Sequence, residues 1–323
     1  MPIKVIMKKH QIDADGKLRH LLSLDGLGRA RITALLDRAQ AFVERPGETV
    51  KTSDALRGIT VANLFFEAST RTRASFEIAA KRLGANVLNL DINVSSAAKG
   101  ETVLDTVRTL EAMNVDVFVV RHAETGVQEM LAENVAPHVA VVNAGESHAN
   151  HPTQGLLDAL TIRQHKPDFE KLRVAIVGDI RHSRVARSAV HALTALGVED
   201  LRLVAPKALL PADEEMTGRH FTGMDEGIGG CDVVMMLRIQ KERMHTGNIP
   251  DFTEYHRLFG MDERRLELVQ PDAIVMHPGP MNRGVEISGA VADGPRSVIL
   301  EQVNNGVAVR MAVLATLMEN RSA

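Results

Sequence analysis

The sequence predicts an α/β protein made of two open, mostly parallel, doubly wound sheet domains with a cleft between them. Three observations carry that expectation. Short apolar runs alternate with longer amphipathic segments along most of the chain, the order that builds right-handed βαβ crossovers. The runs are nearly continuous in apolar character, as parallel strands covered on both faces require. Finally, 323 residues exceed the roughly 100–200 of a single domain, and either half is long enough to bury its own core.

Residues 1–20 mix charge and apolar character without period and are read as an N-terminal extension. A helix follows at about 29–43, with Ile32, Leu35, Leu36, Ala39 and Phe42 on one face, and stops at Arg45-Pro46-Gly47. Strand-like runs at 59–66, 86–90, 116–120 and 139–143 then alternate with helix patterns at 70–83, 101–113 and 125–133. A further helix, 152–165, leads to the break at Lys166-Pro167-Asp168. That break separates a first domain, 21–165, from a second, 166–303, whose strands are expected at 172–177, 200–204, 232–237 and 273–276. A last apolar-faced helix, 304–320, follows the final strand and is expected to pack back on the first domain.

Composition excludes several classes. Apolar residues at 45% and charged residues at 24% fit a globular chain and neither a disordered nor a fibrous one. The 38 basic and 41 acidic residues leave a formal charge of −3, which provides no basic stripe for nucleic acid, so any anion site must be local. The single cysteine, Cys231, rules out an intrachain disulfide; its place at the start of a strand suits a small buried thiol. The opening MPIKVIMKKHQ lacks a signal-peptide core, and no apolar run approaches the ~18 residues of a membrane span. A soluble, cytoplasmic protein with no membrane or nucleic-acid partner is expected.

Ligands of open α/β sheets bind beyond the carboxyl ends of the strands, which directs attention to the segments there. The first strand runs into Phe66-Glu67-Ala68-Ser69-Thr70-Arg71-Thr72-Arg73. Ser69 or Thr70 would cap the next helix, leaving backbone N–H groups, hydroxyls and arginines suited to a phosphate. The second strand leads through Ser95 to Lys99, the third ends in Arg121-His122, and the fourth leads to His151-Pro152-Thr153-Gln154. Arg71, Thr72, Arg121, His151 and Gln154 therefore have a common destination in one small oxygen-rich anion. Singly, each has a structural alternative: Arg121 a surface ion pair, His151 a helix cap, Gln154 a solvated amide, Lys99 a loop charge.

In the second half, Gly178-Asp179 opens GDIRHSRVARS, which lacks the remaining glycines of a dinucleotide-binding turn. Arg184 stands near the start of the helix after it. Period-two alternation in an extended segment puts Arg238 and Gln240 on one side, where they can grip a carboxylate. His277-Pro278-Gly279-Pro280 is a stiff turn that presents backbone carbonyls, or else a plain loop. The H-x-x-H of His148 and His151 has no third ligand at metal spacing, and the lysine of SSAAKGET precedes its glycine, unlike a P-loop. Neither a metal nor a cofactor is expected.

FFEASTRTRASFE, SSAAKGET, VVRH, HPTQGLLDALTI, GDIRHSRVARS, MMLRIQKER and MHPGPMNRGVEI, in that order, resemble the aspartate carbamoyltransferase family over residues 21–318. The resemblance implies transfer of a carbamoyl group from carbamoyl phosphate to L-aspartate, the committed step of pyrimidine synthesis. It implies that Ser69, Thr70, Arg71 and Thr72 cradle the phosphate. Thr72, Arg121 and His151 would hold the carbonyl oxygen; Gln154 and the carbonyls of Gly279 and Pro280 would orient the carbamoyl NH2. Arg184, Arg238 and Gln240 would clamp the aspartate carboxylates, with Ser95 and Lys99 entering from a neighbouring subunit of a homotrimer. The N-terminal extension and the MHPGPMNRGVEI string are similar to the branch whose trimers assemble with dihydroorotase-type chains, not zinc-bearing regulatory chains. The sequence departs from commoner members at Ala68, before the cradle, and at Gly279, where many have leucine. Ornithine carbamoyltransferase is the nearest alternative, sharing the first-half motifs but carrying a cysteine after the last strand and an S-M-G motif. A non-catalytic scaffold paralogue is a further one.

Overall fold

A computed structural model describes residues 10–44, 47–90, 101–212, 215–239 and 252–321. Residues 157–303 form one compact unit and the rest of the described chain another. The helices that carry the chain from one unit to the other are α5 (Pro152–His165) and α11 (Ile299–Glu319).

The first unit holds a four-stranded parallel sheet of β1 (Thr60–Phe65), β2 (Asn86–Leu90), β3 (Val117–His122) and β4 (Ala140–Glu146), in the order β2-β1-β3-β4. Its helices are α1 (Arg29–Phe42), α2 (Thr70–Arg82), α3 (Val103–Glu111) and α4 (Val127–Asn134). Five of six residues of β1 and of β3 are buried, because helices cover both faces, and the alternation of a one-sided strand disappears. Leu64, Phe118, Val120, Val107, Leu110, Leu131 and Val141 fill one core layer. On α2 the buried positions Thr72, Phe76, Ala79 and Ala80 follow helical spacing.

Residues 11–23 finish the open edge of β4. Leu21 forms an isolated parallel bridge to Val142, and the Gln11 side-chain oxygen accepts from the amides of Leu22 (2.7 Å) and Ser23 (2.9 Å). Gln11, Leu18 and His20 are buried here, so half of the aperiodic opening segment is integral to this unit. Beyond residue 304, α11 also belongs to it. The Arg310 guanidinium lies 4.9 Å from the Phe76 ring centroid, Arg38 pairs with Glu319, and Asn304 donates to the Glu44 carbonyl at 2.6 Å. The helix starts at Ile299, five residues before the expected start, since its first turn exposes Leu300 and shows no apolar stripe.

The second unit holds β5 (Arg173–Val177), β6 (Asp200–Val204), β7 (Arg219–Phe221), β8 (Val233–Met236) and β9 (Ile274–Met276), all parallel, in the order β7-β6-β5-β8-β9. Helix α6 (Arg184–Leu196) opens on Ser183, whose hydroxyl accepts from Ala186 N–H, and closes at Gly197 in the left-handed region. Short helices α7 (Met224–Ile228), α8 (Phe252–Phe259), α9 (Glu263–Leu266) and α10 (Gly289–Ala292) complete it. Strand β7 was not expected from sequence. It is held by charge: Asp200 accepts from Arg202 and from Arg219, which lowers its carboxyl to about 2, and both guanidinium groups lie over the Phe221 ring.

In both sheets the first strand lies inside, with later strands added on either side. The strand order therefore reverses between β1 and β3 in one sheet and between β5 and β8 in the other. Such reversals open the crevices where α/β sheets bind ligands.

Candidate active site

At the first reversal, β1 and β3 are hydrogen-bonded neighbours and Phe65 is the register partner of Arg121. This places Arg121 beside the turn that carries Glu67 to Ser69. The Phe66 amide donates to the Arg121 carbonyl at 2.9 Å. Arg121 is buried, and its guanidinium is held from two sides: Nη2 donates to Glu67 Oε1 at 3.1 Å and Nη1 to the Ala144 carbonyl at 3.2 Å. It is thus ion-paired, but in the interior and at the end of a strand, not on the surface.

Ser69 is the N-cap of α2 with an extended backbone, yet its hydroxyl makes no capping bond. The expectation that it caps the helix in that way is not met; the helix start retains its positive end for an anion. Thr70 and Arg71 are exposed on the first turn, while Thr72, one step further round, is buried. Four residues suited to phosphate therefore occupy one helix start, and Arg121 lies beside it.

His151 and Gln154, at the start of α5, are both buried. The loop before them is fixed by side chains that sequence reasoning passed over. Buried Glu146 accepts from the Gly126 amide (2.7 Å) and from Asn150 Nδ2 (2.8 Å); Asn150 Oδ1 accepts from the Ser23 hydroxyl (2.8 Å). Asn143 Nδ2 donates to the Leu22 carbonyl (2.9 Å), and its Oδ1 accepts from the Gly145 amide (2.8 Å). A saturated buried network of this kind fixes one loop conformation, and His151 follows directly on Asn150.

At the second reversal, Val177 and Met236 are register partners in β5 and β8, and the Leu237 amide donates to the Val177 carbonyl at 2.7 Å. Gly178 has φ 130° and packs so closely that a Cβ there would lie 2.9 Å from the Leu237 carbonyl oxygen. Two cationic residues follow these strand ends in the chain. Arg184 is the first residue of α6 and is buried; Arg238 follows Leu237 and is half-buried. Asp179, next to Gly178 in sequence and fully buried, pairs with His182 at 2.8 Å.

After β9 comes the turn His277-Pro278-Gly279-Pro280, with Gly279 at φ 64° and a cis peptide bond between Gly279 and Pro280. Glycine reaches that φ without the steric penalty other residues meet. Ser95, Lys99 and Gln240 lie outside the described residues. Among the described residues no cluster of three or more His, Cys, Asp or Glu is arranged to hold a metal, and no helix is long and apolar enough to cross a membrane. Cys231 is buried, which pushes its thiol up to about 11 and removes it from nucleophilic chemistry near neutral pH.

Two family models match the chain. Residues 19–164 match the carbamoyl-P binding domain of aspartate/ornithine carbamoyltransferase, and residues 170–317 match the Asp/Orn binding domain. Among solved structures, aspartate transcarbamoylase from Trypanosoma cruzi in complex with N-(phosphonacetyl)-L-aspartic acid is 34% identical. That match covers 95% of this chain and 98% of the other, with a TM-score of 0.80. Ornithine carbamoyltransferase from Thermus thermophilus is 27% identical, covering 93% and 99%, with a TM-score of 0.80. The ornithine carbamoyltransferase of Pyrococcus furiosus is 28% identical, covering 94% and 98%, with a TM-score of 0.81. Basic and hydroxyl groups at one reversal, arginines at the other and a match running through both halves lead to one assignment: the chain belongs to the aspartate/ornithine carbamoyltransferase family, enzymes that transfer a carbamoyl group.

Proposed function

We propose that the protein transfers the carbamoyl group of carbamoyl phosphate to the amine of L-aspartate, giving N-carbamoyl-L-aspartate and phosphate for pyrimidine synthesis. The observation that carries the choice of acceptor is the pair of arginines, Arg184 and Arg238, at the second reversal. Two cationic groups suit a dicarboxylate and repel the side-chain ammonium of ornithine. The turn after β9 also reads His277-Pro278-Gly279-Pro280, without the cysteine of the ornithine enzymes.

In this reading Ser69, Thr70, Arg71 and Thr72 hold the phosphate, and Thr72, Arg121 and His151 hold the carbonyl oxygen. The amine lone pair attacks the carbonyl carbon, so a C–N bond forms and the oxygen gains charge. Donors fixed in advance stabilise that charge more in the tetrahedral transition state than in the ground state. The network around Glu67 and Ala144 supplies this fixity for Arg121. The C–O bond to phosphate then breaks, its electron pair leaving with the phosphate, which accepts the amine proton. Gln154 and the Gly279 and Pro280 carbonyls orient the carbamoyl NH2. Arg184, Arg238 and Gln240 bind the carboxylates, and Ser95 and Lys99 come from a neighbouring chain of a homotrimer. The residues 21–165 then serve the donor and 166–303 the acceptor, in a cytoplasmic enzyme; a dihydroorotase-type or a regulatory chain is the partner proposed for a larger assembly.

The test is product identity. Purified protein is incubated with carbon-13-labelled carbamoyl phosphate and either L-aspartate or L-ornithine, and the products are read by NMR. Labelled N-carbamoyl-L-aspartate, formed one for one with phosphate, is expected. Citrulline in place of it moves the chain to the ornithine branch, and no product from either acceptor supports a scaffold role.

A further inference from the structure

The turn His277-Pro278-Gly279-Pro280 contains two residues without a backbone N–H, so between 278 and 280 the Gly279 amide is the sole main-chain donor. That amide donates to His277 Nδ1 at 2.8 Å. With Nδ1 accepting, the ring proton sits on Nε2, which lies 3.2 Å from Glu286 Oε1. The same carboxylate accepts from the main-chain N–H of Asn282 through Oε1 and from Asn282 Nδ2, at 3.2 Å, through Oε2. One imidazole and one carboxylate therefore tie down the chain on both sides of the Gly279-Pro280 bond. Both side chains are fully buried.

The surroundings are equally fixed. The His277 amide donates to Gln302 Oε1 (3.1 Å), and Gln302 Nε2 donates to Asp158 Oδ1 (2.6 Å). The Glu286 carbonyl accepts from the Met261 amide at 2.9 Å. Tyr255, on α8, is fully buried nearby; burial, with the charges of Glu286 and Asp179, raises its phenol far above the usual range. Arg265 holds α8 in turn, donating to the carbonyls of Arg257 (3.0 Å) and Leu258 (2.9 Å) at the helix end.

Burying a histidine and a glutamate costs desolvation that apolar side chains of the same size would avoid, so stability is a weak reason for the pair. Geometry is a better one, because the pair contacts the turn at its only amide handle. We propose that His277 and Glu286 are positioning residues that aim the Gly279 and Pro280 carbonyls at the carbamoyl NH2. This rests on the role given to those carbonyls under the proposed function.

The experiment uses side chains that keep half of the brace. His277→Asn retains an oxygen near the place of Nδ1, able to accept from Gly279, and loses the link to Glu286. His277→Gln reaches Glu286 and loses the acceptor for Gly279. Glu286→Gln keeps an acceptor for Asn282, and Glu286→Ala keeps none. Steady-state rates with carbamoyl phosphate and L-aspartate are measured on each full-length variant. The sequence has one tyrosine and no tryptophan, so intrinsic fluorescence reports Tyr255 alone and checks the packing behind the turn.

We expect His277→Gln and Glu286→Ala to lose about tenfold or more in kcat, with the aspartate KM within about threefold of wild type, as misaimed carbonyls require. His277→Asn and Glu286→Gln should recover most of that loss; they also carry the test if Glu286→Ala fails to fold. Equal kcat in wild type and all variants that keep the Tyr255 signal overturns the brace and leaves the proposed reaction standing. An equal loss in His277→Asn and His277→Gln, or in Glu286→Gln and Glu286→Ala, also overturns it. A wild-type protein that transfers to neither aspartate nor ornithine overturns the reaction itself.

Discussion

His20 is fully buried, and its Nδ1 accepts from the Val141 amide at 2.9 Å, which leaves the proton on Nε2 and the ring neutral. Burial, with the charges of Arg19 and His10, lowers its pKa to about 3. The unfolded chain takes up this proton near pH 6.5, so the stabilisation is complete above that pH and is lost as pH falls toward 3. Each pH unit below about 6.5 should cost about 1.4 kcal/mol at this site. His20→Asn keeps an acceptor for Val141 and does not titrate, so urea unfolding of both proteins at pH 7.5, 5.5 and 4.5 isolates the effect. Wild type should lose roughly 2–3 kcal/mol more than the variant between pH 7.5 and 4.5; equal losses would contradict the account of His20. Nothing in the sequence marks this histidine, because its partner is a main-chain amide on β4. The place of Arg121 at a strand end was legible, whereas its anchor was not: Glu67 stands in the quoted FFEASTRTR string, but only the β1–β3 register brings it to the guanidinium.

The strands that position the candidate site were the easiest elements to read, because burial on both faces writes a run of apolar residues into the sequence. Helices α2, α5 and α6 were legible for a related reason, each following a strand with helical spacing. Strand β7 was invisible, since Arg219–Phe221 is three residues long and is held by Asp200 and by guanidinium–ring contacts instead of an apolar run. Helices α8 and α9 escaped as well. Their junction is organised by Arg265, which is bonded to Asp225 and to the last carbonyls of α8, a pattern with no local period. Gly178 belongs at this scale because it joins β5 to the segment that follows β8. Gly178→Ala puts a side chain at φ 130° and a Cβ 2.9 Å from the Leu237 carbonyl oxygen. It should destabilise the protein by about 1–3 kcal/mol and raise the aspartate KM through displacement of Arg238. Chemical denaturation and aspartate saturation curves test both; an unchanged midpoint with an unchanged KM would contradict the close contact.

The molecule as a whole carries two sheets with the same order reversal. Arginines stand at both, Arg71 and Arg121 with the hydroxyls of Ser69, Thr70 and Thr72 at one and Arg184 and Arg238 at the other, and in the proposed reaction the first set serves the phosphorylated donor and the second the dianionic acceptor. If Lys99 serves a neighbouring chain of a trimer, two inactive variants can complement each other. Lys99→Ala and Arg121→Ala proteins, unfolded together and reassembled in equal amounts, should regain roughly a quarter of wild-type activity. A site needs an intact Arg121 in one chain and an intact Lys99 in the next, each present half the time. Activity no higher than that of the separate variants would place all the groups in one chain. The claim at the centre of the account, that arginines at the β5–β8 reversal select a dicarboxylate, is tested most directly by comparing wild type with Arg238→Ala at saturating carbamoyl phosphate. The predicted result is a wild-type protein that strongly prefers L-aspartate to L-ornithine, and a variant whose kcat/KM for aspartate falls about 10²- to 10³-fold through loss of a charge-assisted carboxylate contact. A variant within twofold of wild type, or a wild-type protein that prefers ornithine, would contradict it.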